Sequence, residues 1–215
     1  MKNLNIYIFS MIAVGMLAFS CENAIQADED GGNQTDTTSF ENDHDSEKSE
    51  ALKIADPENI KTKMIRTTLN AKSESKATGD ITFEERAGQV VMEAKFKGLN
   101  KGTHAIHLHE TANCSSSDGK SAGGHWNPTG ERHGKWGDAE GYHKGDIGNF
   151  EVGDDGIATV RFETAEWCIG CDDENKNIVG RSVIIHQGGD DFISQPSGDA
   201  GKRVGCAEIS EYQEK

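Results

Sequence analysis

The sequence has few basic residues, no apolar run of membrane-spanning length and no helical patterning. Its 22 lysines and arginines are outnumbered by 37 acidic residues, giving a net charge of −15. This argues against a nucleic-acid-binding protein, because such proteins need a basic surface. The apolar run over residues 6–19 is shorter than the roughly 20 residues that a transmembrane helix requires. Apolar residues nowhere recur with the helical period of about 3.6, so the pattern excludes a helical domain.

The N-terminal residues have the composition of an export signal. Lys2 precedes the apolar run, and the small residues Ala18 and Ser20 stand just before Cys21. The arrangement is similar to a bacterial lipoprotein signal, so we expect residues 1–20 to be a signal peptide and Cys21 to become the lipidated N terminus. The protein would then lie in the bacterial cell envelope, with membrane contact only through that lipid anchor. Ordinary cleavage at the same place, which leaves a free thiol, is the alternative.

Residues 21–50 form an acidic segment that cannot fold by itself. Ten acidic residues face a single lysine, and branched apolar side chains are almost missing. Such a segment cannot bury enough apolar surface to order its backbone. We expect a flexible tether, followed by one domain over residues 51–215.

Short runs of alternating apolar and polar residues fill the rest of the chain. The clearest run, residues 89–97, places every second side chain on one face of a strand. Eight strands are predicted, over residues 61–70, 80–86, 89–97, 104–110, 146–152, 157–164, 178–186 and 203–210. Eight strands without helices predict an all-β fold, an antiparallel Greek-key sandwich or flattened barrel. Two long loops, residues 111–145 and 187–202, are left to carry the function.

Six of the eight histidines lie between His104 and Asp146, with glycine-rich loops between them. His107 and His109 are two residues apart in a predicted strand, so their side chains point to one face, roughly 6 to 7 Å apart. Two imidazoles so placed can bind one metal ion. An isolated pair of this kind is more often a packing or surface pair.

Further candidate ligands follow that histidine pair. Three more histidines and one aspartate offer three nitrogens and one oxygen, the ligand number and type of tetrahedral zinc. They are His125, His133, His143 and Asp146. His186 ends another strand-like run. Seven candidates are hard to explain as buried histidines and an aspartate that are all satisfied by hydrogen bonds, so the sequence predicts a site for more than one metal ion.

These residues and their order resemble the copper/zinc superoxide dismutase family, over about residues 61–210. The segment N-C-S-S-S-D-G-K-S-A-G-G-H, which ends at His125, is more similar to the bacterial enzymes than to the animal ones. The resemblance implies one copper and one zinc ion, with His125 as the bridge between them. The implied copper ligands are His107, His109, His125 and His186. The implied zinc ligands are His125, His133, His143 and Asp146.

The resemblance also implies roles outside the two ligand sets. Asp190 is expected to accept hydrogen bonds from His107 and His133 behind the metals. Arg203 is expected to face the substrate beside copper, and His104 to be structural. One residue more separates His133 from the next zinc ligand than is commonest in the family, a difference that a loop can absorb.

Five cysteines remain to be assigned in an oxidising compartment, where cysteines pair. With Cys21 lipidated, the other four allow three pairings. The resemblance pairs Cys114 with Cys206, and Cys168 and Cys171 in W-C-I-G-C are then left to each other as a loop disulfide. A thioredoxin-like redox motif is the alternative, but it requires a βαβ context and a following helix that the sequence does not show.

The implied activity is the dismutation of superoxide to oxygen and hydrogen peroxide, by alternate reduction and reoxidation of the histidine-bound copper. Arg203 and His125 are the expected catalytic residues, and Lys120 and Lys202 are candidates for steering the small anionic substrate from further out. The sequence is compatible with a homodimer. The alternatives are a copper or zinc carrier on the same fold and a structural envelope protein with a relic site.

Overall fold

The computed structural model describes residues 61–214, and this range is built from strands and loops. The strands are β1 (Lys63–Ala71), β2 (Thr78–Arg86), β3 (Gln89–Lys97), β4 (Gly102–His109), β5 (Gly148–Val152), β6 (Ala158–Thr164), β7 (Arg181–His186), β8 (Arg203–Ile209) and β9 (Gln213–Glu214). A single turn of 3₁₀ helix spans Lys120–Ala122. Within residues 61–214 no helix is long and apolar enough to cross a membrane. The predicted signal peptide, the tether and Cys21 lie outside the described residues.

The strands form an antiparallel sheet in the order β5-β4-β7-β8-β1-β2-β3-β6. β5 and β6, at the two ends of this order, also contact each other, so the sheet curls into a nearly closed barrel. β4 pairs with β7 and β8 pairs with β1 across long connections, which are the crossings of a Greek-key topology. The predicted all-β class is confirmed.

Alternating residues of the strands fill the barrel. On β3 the even-numbered residues from Val90 to Phe96 are buried, and the residues between them are exposed or part-exposed. Their partners on β2, including Ile81 and Phe83, are buried as well, because opposite residues of an antiparallel pair share a face. Each large apolar side chain buried in this way contributes roughly 1.5–3 kcal/mol to folding.

All eight predicted strands are present, with ends that differ by at most three residues. β5 begins at Gly148 and not at Asp146, because the N–H of Asp146 turns back to donate to the carbonyl oxygen of His143 at 3.0 Å. β7 begins at Arg181, whose N–H closes a turn onto the carbonyl oxygen of Ile178. β9 was not predicted, since two exposed polar residues carry no alternating pattern.

Candidate metal centre

The first group of candidate ligands is assembled on the paired strands β4 and β7. His107 and His109 lie on the same side of β4, and His186 is the last residue of β7. The loop after β4 turns back and places His125 in an antiparallel bridge with His109. All four histidines are buried, and one ring nitrogen from each lies within 4.8 Å of the others. We call these residues the first group.

Each of these histidines leaves one ring nitrogen without a partner. His109 Nδ1 lies 3.0 Å from the Gly123 carbonyl oxygen, and His107 Nε2 lies 2.8 Å from Asp190 Oδ2. A buried nitrogen without a hydrogen bond costs about 1–3 kcal/mol, so four that converge fit a metal cation between them. Within the described part of the chain, the unpartnered atoms are His107 Nδ1, His109 Nε2, His125 Nε2 and His186 Nε2.

The second group lies in the loop between β4 and β5, and its ligand atoms are also within 4.8 Å of one another. His133 Nδ1 and His143 Nδ1 lie 2.9 and 3.3 Å from oxygens of Asp146. Neither contact has hydrogen-bond geometry, and among the described residues both nitrogens are buried without a partner. Such short distances without hydrogen bonds suit atoms that point at one cation. The members are His125, His133, His143 and Asp146, a donor set that fits zinc.

His125 belongs to both groups. Its Nδ1 lies 2.8 Å from Asp146 Oδ1, on the side of the second group. Its Nε2 is an unpartnered nitrogen of the first group. One imidazole ring therefore separates the two candidate metal positions, as a bridging ligand would.

A single carboxylate joins the two groups from behind. Asp190 Oδ2 lies 2.8 Å from His107 Nε2, and Oδ1 lies 2.9 Å from His133 Nε2. The Asn149 side chain accepts from the Asp190 N–H at 2.7 Å and donates to its carbonyl oxygen at 2.8 Å. Glycine is needed at position 198, because a Cβ on Gly198 would lie 1.8 Å from Asp190 Oδ1. Asp190 thereby fixes the orientation of one histidine in each group.

Three histidines of the first group, His109, His125 and His186, are held neutral, which keeps their ring nitrogens available to a metal. Burial is the main cause that lowers the pKa of His125 to about 4, and it brings the pKa of His109 and His186 well below the usual value. For His133, burial works against protonation, but the close contacts with the carboxylates of Asp146 and Asp190 outweigh it and raise the pKa to about 9. Burial alone would raise the pKa of Asp146 and Asp190, but their contacts with the histidines lower it. A proton on His133 thus lies between two carboxylates, in a place that suits a cation.

A cleft of about 510 Å³ opens beside the first group. Its lining includes His186 and Arg203, together with Glu110 and Asp199. Arg203 is part-buried and donates from Nη1 to the Gly119 carbonyl oxygen at 2.8 Å, which fixes its guanidinium. The two acidic residues were missed in the sequence, although Glu110 directly follows a candidate ligand at the end of β4.

The two candidate steering lysines line a neighbouring pocket that shares Arg203 with the cleft. Lys120 pairs with Asp118 at 3.3 Å, and its side chain is 80% exposed. Lys202 is exposed and directly precedes Arg203. The structure therefore places both lysines at the periphery and neither against the candidate ligands.

His104, which among the described residues belongs to neither group, has no nitrogen left for a metal. Its Nδ1 lies 2.8 Å from the His186 carbonyl oxygen, and its Nε2 lies 2.9 Å from the Asn100 carbonyl oxygen. Since carbonyl oxygens only accept, both ring nitrogens are in contact with acceptors. His104 serves to hold β4 against the end of β7.

Two disulfides lie within residues 61–214. One joins Cys114 in the loop after β4 to Cys206 on β8, with the Cα atoms 5.8 Å apart. The other joins Cys168 to Cys171. No helix follows Cys168 in the described chain; it forms a parallel bridge with Asn177 instead. The context of a thioredoxin-like motif is therefore missing at this pair.

A nearly closed antiparallel barrel with two ligand groups that share one histidine is the framework of a dinuclear metalloprotein. The family model described as copper/zinc superoxide dismutase (SODC) matches residues 77–209, more than half of the chain and all of the candidate ligands. The chain therefore belongs to the copper/zinc superoxide dismutase family, whose members are superoxide dismutases that bind copper and zinc.

Bacterial proteins are among the relatives. Superoxide dismutase [Cu-Zn] 2 of Aquifex aeolicus (strain VF5) is 34% identical over 142 residues, which cover 64% of this chain and 81% of the relative. A crystal structure of a SOD-like protein from Bacillus subtilis is 30% identical with a TM-score of 0.60, and the match covers 67% of this chain and 97% of that one. A double mutant of the same protein, with a tyrosine and a proline replaced by histidine, is 32% identical with a TM-score of 0.62. The match covers 68% of this chain and 97% of that one.

Proposed function

We propose that the chain catalyses the dismutation of superoxide, in which two superoxide anions and two protons give one molecule of oxygen and one of hydrogen peroxide. The observation that carries the proposal is the convergence of six unpartnered, buried histidine nitrogens on two neighbouring positions. The first group would hold copper and the second group zinc. When bound, copper supplies a reversible one-electron couple, and zinc, which has no redox chemistry, supplies a fixed positive charge.

His125 is the residue suited to move a proton in this reaction. Its Nε2 faces the first group and the ring lines the cleft, while Nδ1 is turned toward Asp146. In the proposed cycle Nε2 takes up a proton when the first superoxide leaves as oxygen. It gives that proton to the second superoxide, which leaves as hydrogen peroxide after taking one more proton from water. During both halves Nδ1 stays on the side of the second group, which would keep the ring in place.

Arg203 is the residue suited to bring the anion to the cleft. Its guanidinium is fixed by the Gly119 carbonyl oxygen and lies in the same cleft as His186. A positive group that lines a cleft attracts an anion even when the distant surface is negative, because the local field dominates there. The nearby Glu110 and Asp199 confine this attraction to a small area.

A metal carrier is the competing function, and two observations disfavour it. A carrier does not need a histidine shared by two ligand groups, and it does not need a fixed arginine in the cleft beside the site. The test is to load the purified chain with copper and zinc, measure metal per chain, and follow superoxide consumption. Full occupancy of both metals without superoxide consumption would establish the carrier and refute the enzyme.

We also propose that the protein is a lipoprotein of the bacterial cell envelope, anchored at Cys21 and separated from the membrane by the acidic tether. The support is the sequence of residues 1–50 alone. Mass spectrometry of the mature N terminus tests it, with Cys21→Ser as the comparison. A mature chain that begins at Cys21 without lipid would overturn the anchor. The homodimer stays a prediction.

A further inference from the structure

The loop that carries the second group is attached to the barrel on both sides of His143. The preceding residue, Tyr142, donates its hydroxyl hydrogen to Glu166 Oε1 at 2.6 Å. The following residue, Lys144, donates from Nζ to Glu166 Oε2. Glu166 follows the end of β6 by two residues, so one carboxylate of the barrel holds the residues before and after His143.

Aromatic packing supports the same attachment. The indole N–H of Trp167, a core residue that is 1% exposed, donates to the Lys144 carbonyl oxygen at 2.8 Å. Trp136, three residues after His133, packs against Tyr142 with ring centroids 4.9 Å apart and against Trp167 at 5.8 Å. The loop is therefore held to the barrel wall by side chains on its outer side, away from the ligand atoms.

We propose that Glu166 is a positioning residue for the zinc site: by holding Tyr142 and Lys144 it fixes the backbone of His143 in the conformation that zinc binding needs. The inference rests on the proposed function, because it takes His143 to be a zinc ligand. A loop that is already ordered loses less conformational entropy when a ligand binds, so preorganisation raises affinity.

Two features make the expected effect specific to zinc. Within residues 61–214, the side chain of Glu166 hydrogen-bonds to Tyr142 and Lys144 and to no candidate ligand, so it acts through the loop alone. The first group takes three of its four histidines from strands β4 and β7, which are held together by their own pairing. General destabilisation of the barrel would instead weaken both metal sites.

The test compares Glu166→Gln with Glu85→Gln in the full chain. Glu85 is the control, because it is also a part-buried carboxylate with a lysine partner, Lys63 at 3.9 Å, but its other contact is the backbone N–H of Ile169 at 2.7 Å and not a residue of the zinc-site loop. Removing partners just behind a metal ligand typically lowers metal affinity about 10- to 100-fold. Since Glu166 is one step further away, we expect Glu166→Gln to weaken zinc binding about tenfold and to leave copper binding within a factor of two.

Cobalt(II) bound in place of zinc gives a second measurement that needs no enzyme activity, because its visible spectrum reports ligand geometry. We expect the spectrum to change in Glu166→Gln and to match the parent in Glu85→Gln. Tyr142→Phe and Lys144→Met each remove one attachment, so their zinc affinities and cobalt spectra should lie between those of the parent and those of Glu166→Gln. Equal zinc affinity and an unchanged spectrum in Glu166→Gln, or equal losses of both metals, would overturn the positioning role. Retention of zinc by His143→Ala would instead refute the ligand assignment itself.

Discussion

At the scale of single residues, the groups behind His109 and His107 decide which nitrogen of each can bind a metal. The Gly123 carbonyl oxygen can only accept, so His109 Nδ1 carries the hydrogen and Nε2 keeps its lone pair. The carboxylate of Asp190 has the same effect on His107, where Nε2 carries the hydrogen and Nδ1 is left. The ligand atoms are thus determined by carbonyl and carboxylate oxygens that contact no metal.

The separation of the two groups predicts separable metals. His186 belongs to the first group only and Asp146 to the second only. We expect His186→Ala to lose copper and keep zinc, Asp146→Ala to do the reverse, and His125→Ala to disturb both. Elemental analysis of metal per chain measures this. Loss of the same metal in His186→Ala and Asp146→Ala would contradict the assignment.

The position of Arg203 predicts that replacing it changes the reaction rate and leaves the metal content unchanged. It lines the cleft and donates to a loop carbonyl oxygen, and it is not a member of either ligand group. Focused positive charge raises on-rates by 10-fold or more, so we expect Arg203→Gln to lower the second-order rate with superoxide about tenfold. Pulse radiolysis gives the rate and elemental analysis gives the control. A rate equal to that of the parent chain would remove Arg203 from the reaction.

The sequence could predict which candidate ligands the structure brings together and, through the resemblance, Asp190 behind them, but it could not predict the residues that hold Asp190 and His143 in place. The histidines and Asp146 form a pattern of residue types and spacings that few other structures explain. Asn149 holds the backbone of Asp190 and Gly198 leaves room for its carboxylate, and glycine and asparagine occur in so many loops that nothing in the sequence distinguishes these two. Glu166 lies 23 residues after His143 in the numbering, and only the fold brings it back to the residues on either side of that histidine.

At the scale of secondary-structure elements, strands β4 and β7 hold three of the candidate ligands in fixed positions, and the loop between β4 and β5 brings the other four to them. The strands could be predicted because alternation with a period of two is a local property. Their order could not, because β4 and β7 pair across a separation of more than 70 residues. That pairing brings His186 to the end of β7 beside the histidines of β4, so the most important contact of the site is also the least local.

The disulfide between Cys114 and Cys206 is expected to hold the long loop against β8. It spans a sequence separation of 92 residues, for which the chain-entropy model gives a stabilisation of about 4–5 kcal/mol against the unfolded state. We expect Cys114→Ser to lower the free energy of unfolding of the metal-free chain by this order, as measured by denaturant titration. Zinc and copper affinity should fall as well, since the loop carries His125. Stability within about 1 kcal/mol of the parent would show that the loop is held by its other contacts.

The disulfide between Cys168 and Cys171 spans only three residues and gives a matched control. Loop-closure entropy grows with loop length, so Cys171→Ser should cost less stability than Cys114→Ser. This pair also lies outside both ligand groups, and metal affinity should not change. A loss of zinc or copper in Cys171→Ser would indicate that the effect of Cys114→Ser is not specific to the metal-site loop.

At the scale of the whole molecule, an acidic protein must attract an anionic substrate. The full chain carries a net charge of −15, so superoxide approaches against a repulsive distant field. At about 0.15 M salt the Debye length is about 8 Å, and only charges close to the cleft then act on the anion. Arg203 and its neighbour Lys202 are such charges, whereas Lys120 has a compensating partner in Asp118.

This difference predicts effects of different size for the two lysines. Lys202 directly precedes Arg203 and lines the same pocket as Lys120, but the ion pairs found within residues 61–214 include Lys120 and not Lys202. We expect Lys202→Glu to slow the reaction with superoxide several-fold at about 0.01 M salt, where the Debye length is about 30 Å, with the difference from the parent narrowing toward 0.15 M. Lys120→Glu should have a smaller effect.

The rate of the two variants against ionic strength measures this, with metal content as the control in each. If Lys202→Glu reacts at the parent rate in low salt, the lysine does not steer the substrate, and the cleft attracts superoxide through Arg203 and the metal charge alone. If Lys120→Glu has the larger effect, the pairing with Asp118 does not compensate its charge in solution. A reduction in rate that does not depend on salt would mean that the change acts on Arg203 through contact, because an effect on distant attraction must weaken as ions screen it.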